Sequence, residues 1–277
     1  MGTADVMMDW LRARHDLARV RPVSAAALAA LAASGAPDAL LSLSRAVGGG
    51  FAGLLVDSVT SVVAPRWDPA VGWQVAETEL GRLYLRDGSV FLAGPTGSLH
   101  IAPSLDHLLE VRLQRLIAGS LVWDPDTEGL VDPERVRDLG AAAADPAAFG
   151  RWTDDLLAAL ADGADAPLGP LGALRVSRSS AFDSDTRRPL STSTTEFRPS
   201  AWLQQQLGGG LAAPVGPAEQ VAAAEAVAVA LRRSERARWP RLGTFASAID
   251  GTAAEPVRVA FFLAAPSLRR LLEPEPS

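Results

Sequence analysis

The residues with which this chain could do chemistry are few: three histidines, His15, His100 and His107, and some close pairs of carboxylates. Glu77 and Glu79 stand two apart in an alternating stretch. Strand spacing would put both on one face, where each raises the other's pKa, as a hydrolase working through paired carboxylates requires. A solvent-facing strand edge explains the pair equally well. Asp154 and Asp155 form a second pair. Nothing completes such a site. No Gly-x-Ser-x-Gly elbow is present, and no histidine has a partner at the H-E-x-x-H spacing of a metal site. His107, beside Asp106 and near Glu110, reads as part of a solvated helix face. Cysteine is absent, which excludes disulfides, thiol catalysis and thiolate-bound metals and fits a reducing compartment. All 26 basic residues are arginine, so lysine Schiff bases and P-loop phosphate binding are excluded. Gly48-Gly49-Gly50-Phe51-Ala52-Gly53 satisfies G-x-G-x-x-G, but here a helical pattern precedes and a strand pattern follows. That is the reverse of a dinucleotide loop, so the motif reads as a helix stop. The expectation is a protein without catalytic residues, cofactor or metal; the paired-carboxylate hydrolase is the remote alternative.

The arginines are the other candidates. Arg232, Arg233, Arg236, Arg238 and Arg241 make the most basic run, offset by Glu235 alone, and could meet phosphate. Arginines at a helix C-terminus also complement the helix dipole, worth about 0.3–1 kcal/mol each. The overall balance opposes nucleic acid: the net charge is −6 and the pI about 5.2. Residues 131–277 hold 16 arginines against 18 acids, a poor basis for neutralising several phosphates.

The elements that must position these residues change in kind along the chain. Residues 1–47 read as helical, with an alanine-leucine run from Ser24 to Ala33 and a second segment, Ala39 to Val47, opened by Pro37-Asp38. Residues 51–101 shift to short apolar runs, Leu54–Val56, Val71–Val75, Leu83–Leu85 and Val90–Leu92. Turn signals at Asp87-Gly88 and Gly94–Gly97 cut them, which predicts an antiparallel meander. Ser104 caps a closing helix. Asp124 to Pro133 reads as a polar junction. Beyond it, Phe149–Ala161 is helical, Leu171–Ser177 and Ser191–Arg198 are strands, and Pro199-Ser200 opens a short helix through Leu207. After a Gly-rich linker, Gly208–Pro217, the order returns: helix Ala218–Arg233, strands Leu242–Ile249 and Val257–Leu263, helix Pro266–Leu272. This is an internal repeat of about 50 residues, with Leu171-Gly172-Ala173-Leu174 matching Leu242-Gly243-Thr244-Phe245, and Phe197 matching Phe262. One copy buries little surface alone, so the two are expected to pack face to face. Trp152, Trp202 and Trp239 are expected in the core. No run of 18 apolar residues spans a membrane, and Met1–Arg21 lacks the apolar segment of a secretory signal. A cytoplasmic protein with no membrane partner is expected.

The repeated pattern resembles the histone-like DNA-bending family of HU and IHF, in Gly169-Pro170-Leu171-Gly172-Ala173-Leu174-Arg175-Val176 and Phe197-Arg198-Pro199-Ser200, and again in Leu242-Gly243-Thr244-Phe245 and Phe262-Leu263-Ala264-Ala265-Pro266. The resemblance implies an intramolecular pseudo-dimer with β-arms that grip DNA through basic residues and a proline wedge. It places candidate nucleic-acid contacts at Arg175, Arg178, Arg187, Arg188, Pro189, Arg198, Arg232, Arg233 and Arg236. The first arm, Ser179–Ser191, is short and carries Asp183 and Asp185; the second copy has only Asp250–Pro256 between its strands. The first 120 residues resemble the SUKH superfamily and the GAD-like immunity proteins. The resemblance lies in Pro37-Asp38-Ala39-Leu40-Leu41, Phe51-Ala52-Gly53-Leu54-Leu55, Trp73-Gln74-Val75-Ala76, Leu80-Gly81-Arg82-Leu83-Tyr84-Leu85 and Ala102–Leu109. Where that group has a central Gly-Asp, this chain has Gly81-Arg82. The resemblance implies a module that binds a protein partner, such as a toxin effector. The expected organisation is α+β: an N-terminal helix–antiparallel sheet–helix domain over 1–123, then HU-like repeats over 134–210 and 211–277. The expected function is non-enzymatic protein binding of immunity or adaptor type; the alternative is an HU-like architectural DNA-binding protein.

Overall fold

The computed structural model describes residues 2–15, 17, 23–49, 52–58, 61–94, 97–182, 189–250 and 257–273, with side chains except at 61, 62, 178–182, 189–192 and 250. The fold is α+β, and the chain forms two compact units, chiefly Met1–Asp124 with Glu128–Pro133, and Glu134–Ala248 with Val257–Ser277.

The first unit opens with α1 (Thr3–Arg12), α2 (Ala25–Ala33) and α3 (Asp38–Val47). In α1 the buried residues Ala4, Met7, Met8 and Leu11 follow helical spacing, one apolar stripe turned to the core. Ser24 and Ser104 accept hydrogen bonds from backbone N–H groups three residues on and so start α2 and the helix that begins at Leu105. Strands β1 (Ser61–Asp68), β2 (Gly72–Thr78), β3 (Gly81–Arg86), β4 (Ser89–Gly94) and β5 (Gly97–Ala102) pair in sequence order as an antiparallel meander. α4 (Leu105–Ile117) follows, then a small hairpin of β6 (Val122–Asp124) and β7 (Gly129–Val131). Leu40, Leu43, Val75, Leu83, Leu105 and Leu109 fill the space between helices and sheet.

Two expectations need correction here. Leu54–Val56 is not a strand: residues 52–57 form turns and bends, although Leu54 and Leu55 are wholly buried. Their apolarity serves burial rather than pairing. Asp124–Pro133 is not only a polar junction, because it holds the β6–β7 hairpin with Leu130 and Val131 buried.

The second unit contains β8 (Val136–Asp138), α5 (Pro146–Ala161), β9 (Ala166–Pro167), β10 (Gly172–Phe182), β11 (Pro189–Pro199) and α6 (Ala201–Leu207). It continues with α7 (Ala218–Arg232), β12 (Arg236–Trp239), β13 (Gly243–Asp250), β14 (Val257–Ala264) and α8 (Pro266–Leu272). The order long helix, short strand, two long strands, short helix thus occurs twice. Local geometry matches at a spacing of 71 residues. Ala166 pairs with Leu174 and Ala237 with Phe245. The helix ends repeat too, with Ala164 N–H donating to the Ala159 carbonyl and Glu235 N–H to that of Ala230, both at 2.9 Å. Gly163 and Ser234 both take positive φ there. Gly172 and Gly243 are the tightest points of the match. A Cβ at Gly172 would meet the Arg198 carbonyl at 2.0 Å, and one at Gly243 the Leu263 carbonyl at 2.1 Å.

The two copies pack reciprocally: α6 lies against α7 and β14, while α8 lies against α5 and β11. Their shared core is aromatic. Trp239 of the second copy stacks on Phe149 (centroids 5.0 Å apart) and meets Trp152 edge-on at 4.6 Å. Phe245 sits between Phe197 at 5.2 Å and Phe262 at 4.9 Å. The indole of Trp239 is fully buried and donates to Thr153 Oγ1 at 2.9 Å, so its single polar atom is satisfied. Trp152 and Trp202 are half-buried, and Trp202 Nε1 donates to the Ala212 carbonyl.

Candidate functional site

The candidate cations separate into distinct places. Across the β10–β11 ladder, Arg175 lies opposite Glu196 and Ala173 opposite Arg198. Directly paired residues share a face, so Arg175, Glu196 and Arg198 lie together on the face opposite Leu174 and Phe197, which pack into the core. That outer face carries its own counter-charges. Arg198 is bound by Glu196 through Nε and Nη2, each at 3.3 Å, and Arg175 Nε lies 3.7 Å from Asp165. Two guanidinium groups and two carboxylates leave it without net charge.

The basic run before β13 is dispersed by folding. Arg232 ends α7 and donates to Gln206 Oε1. Arg233 is exposed as the helix cap. Arg236 is buried on β12 and offers no surface cation. Arg238 donates to Asp138 Oδ2 through Nε and Nη2, and Arg241 reaches Asp154 at 2.8 Å. One cation that sequence reasoning missed, Arg258, donates to the Leu231 carbonyl, Ser234 Oγ and Ser247 Oγ and so closes the C-terminal end of α7. Only its place on a strand facing that helix end reveals the role. The backbone ladder runs on to Phe182 opposite Pro189, beyond the last buried pair. Arg187, Arg188, Asp183 and Asp185 lie outside the described residues, as do the side chains of Arg178 and Pro189; the second arm lies outside them beyond the backbone of Asp250.

The matching face of the second copy has a different chemistry. Phe262 packs on Phe245 in the core, so Val257, Val259, Phe261 and Leu263 alternate onto the opposite face. Val257 and Val259 are exposed, and Phe261 and Leu263 half-buried. At a spacing of 65 residues, Val259, Phe261 and Leu263 stand where the first copy has Thr194, Glu196 and Arg198.

The carboxylates do not assemble a hydrolytic site. Glu77 is the penultimate residue of β2, near Arg82 and bonded by Gln74 Nε2 at 2.9 Å. Glu79 lies outside β2, in the turn that follows, and accepts from Ser58 Oγ. The two therefore do not share a strand face, which corrects the spacing argument. Asp154 and Asp155 are exposed on α5. His100 packs edge-on to Phe91, His15 stacks on Trp123 and His107 is exposed. Among the described residues no three metal-ligating side chains converge, and no helix is long and apolar enough to cross a membrane.

A charge network centred on a buried arginine stands in the first unit. Arg112 follows Leu105, Leu108 and Leu109 on the inward face of α4, and is buried there. Its guanidinium reaches Asp57 at 2.7 Å and the Gly53 carbonyl; Arg115 joins Asp57 at 3.5 Å and Asp132 at 3.0 Å. Burial alone would raise the Asp57 pKa, but Arg112 and Arg115 outweigh it and hold the carboxyl below its usual range. Gly53 is fixed by the same contacts: its φ is +73° and a Cβ would fall 1.8 Å from the Leu130 carbonyl. The network clamps residues 52–58 between α4 and the β6–β7 hairpin, a structural task. Comparison with protein-family models, curated proteins and solved structures returns no match.

Proposed function

We propose that this chain is a non-enzymatic binding protein of immunity or adaptor type, working in the cytoplasm. Its SUKH- or GAD-like N-terminal part would engage a protein partner such as a toxin effector, and its HU-like pair of repeats would serve as a scaffold or second docking surface. The observation that carries this reading is the pair of outer faces in the second unit. One has its arginines neutralised by Glu196 and Asp165, and the other presents valine, phenylalanine and leucine at the corresponding positions. A phosphate backbone needs uncompensated cations, whereas aliphatic and aromatic side chains on a half-exposed sheet face suit a protein surface. The reciprocal packing and the matched Gly172 and Gly243 support the HU-like scaffold.

The second reading, an architectural DNA-binding protein, is favoured by one observation: the β10–β11 ladder continues past the core as a two-stranded arm. Fluorescence anisotropy with duplex DNA at about 50 mM and about 200 mM salt decides between them. The protein-binding reading expects no anisotropy change at either salt. Binding that weakens steeply with salt and vanishes in the double variant Arg187→Glu, Arg188→Glu establishes the other.

A further inference from the structure

The first unit holds a cleft of about 430 Å³ that none of the readings above uses. An indole pair is among its lining residues. Trp67 on the edge strand β1 lies directly opposite Trp73 on β2, with ring centroids 5.5 Å apart and planes inclined at 55°. Trp73 is buried, while Trp67 keeps 58 % of its surface in solvent. So large an exposed apolar surface in a concave place marks a contact point for a ligand. Pro37 and Pro69 also line the cleft, and their fixed φ values stiffen it before any ligand arrives.

The charges on the rim select the ligand. Arg86, Asp87 and Asp106 are its ionisable members. Arg86 lies 3.6 Å from Asp87, so these two largely offset each other. Asp106, in the first turn of α4, is exposed and forms no ion pair among the described residues. Ser104 Oγ is already engaged by the His107 N–H. The lining of the cleft therefore carries one unbalanced negative charge together with a largely exposed indole. Arginine matches both: its planar guanidinium stacks on an indole and pairs with a carboxylate at once.

We propose that this cleft recognises an arginine side chain presented by a protein partner, its guanidinium on Trp67 and its charge met by Asp106. The inference rests on the protein-binding reading and gives that partner a chemistry.

The test is an NMR titration of the full chain, following the Trp67 indole N–H. The probes are N-acetyl-arginine amide, its uncharged citrulline counterpart, a hexaproline peptide and cellobiose. The arginine compound is expected to shift the Trp67 signal, and citrulline to leave it in place. Asp106→Asn is expected to weaken the response by about threefold to fivefold, the scale of one exposed ion pair. Trp67→Ala, with an unchanged far-UV circular dichroism spectrum, should remove the shifts of the neighbouring cleft residues. Equal responses to arginine and citrulline, a stronger response to hexaproline or cellobiose, or no response to arginine at about 100 mM each overturns the assignment. A chain that binds no duplex DNA yet ignores arginine loses only this inference; salt-sensitive DNA binding overturns the protein-binding reading itself.

Discussion

The two halves of the second unit agree on the inside and differ on the outside. Leu174 and Phe245, Phe197 and Phe262, Leu203 and Leu268, Leu207 and Leu272 occupy matching places in one core. Those positions are constrained because each half is the surface against which the other buries its apolar residues. The outer strand positions see solvent or a partner, and there one half carries Glu196 and Arg198 and the other Phe261 and Leu263. Packing thus explains the likeness but not the divergence, and under the proposed binding role the outer faces are where a partner would be met.

The comparison can be broken most forcefully at the matched glycines. Gly172→Ala and Gly243→Ala each drive a Cβ into a backbone carbonyl at positive φ. Each is expected to destabilise the second unit by about 3–5 kcal/mol or to abolish its cooperative unfolding. Chemical denaturation followed by circular dichroism measures this; a Gly243→Ala protein that unfolds like the parent would mean the halves are not equivalent there. Next comes the shared core, where Thr153→Val leaves the buried Trp239 N–H without an acceptor. The expected loss is about 1–3 kcal/mol, read in the same experiment.

Outer-face changes should hardly register in stability. Val259→Thr, at an exposed position, is expected to move it by no more than about 0.5 kcal/mol. Glu196→Gln should be equally mild, and because Asp165 remains beside Arg175 it should leave anisotropy with duplex DNA flat. DNA binding gained by that one change would show the first half to be a masked nucleic-acid surface. The first unit supplies the control, since its stability there is expected to change with pH only in acid. The Asp57 carboxyl is held below its unfolded value, so the stability it adds is complete above about pH 4 and is lost as pH falls through the depressed folded-state pKa. Acid titration of the unfolding midpoint should show this loss, and Asp57→Asn should flatten the profile, lowering stability near neutral pH and converging with the parent in acid.

Local signals in the sequence were enough for the elements whose ends are written in single residues. Ser104 and Ser200 cap their helices as the spacing implies, and Asp87-Gly88 makes the turn between β3 and β4. The α+β class follows from the change of period near residue 51. β1 escaped because Pro65 and Arg66 break its pattern, yet proline is tolerated on an edge strand and at the register shift found between Val63 and Arg66. β5, in which Gly97, Ser98 and His100 interrupt the apolar residues, escaped for the related reason that the other edge carries little apolar signal. At the site, adjacency in sequence misled: Arg232, Arg236, Arg238 and Arg241 lie close along the chain, yet one ends a helix, one is buried, one pairs with Asp138 and one reaches Asp154 of α5. Trp67 was silent for the opposite reason. Its partner Trp73 is set by sheet register, and register is not visible in a run of letters.

The linker Gly208–Pro217 joins both halves in one polypeptide. A homodimer displays every surface substitution twice; a fused pair displays it once, so a ligand can be held off the axis in one-to-one stoichiometry. Folding also becomes unimolecular, and the melting temperature should not depend on how dilute the protein is.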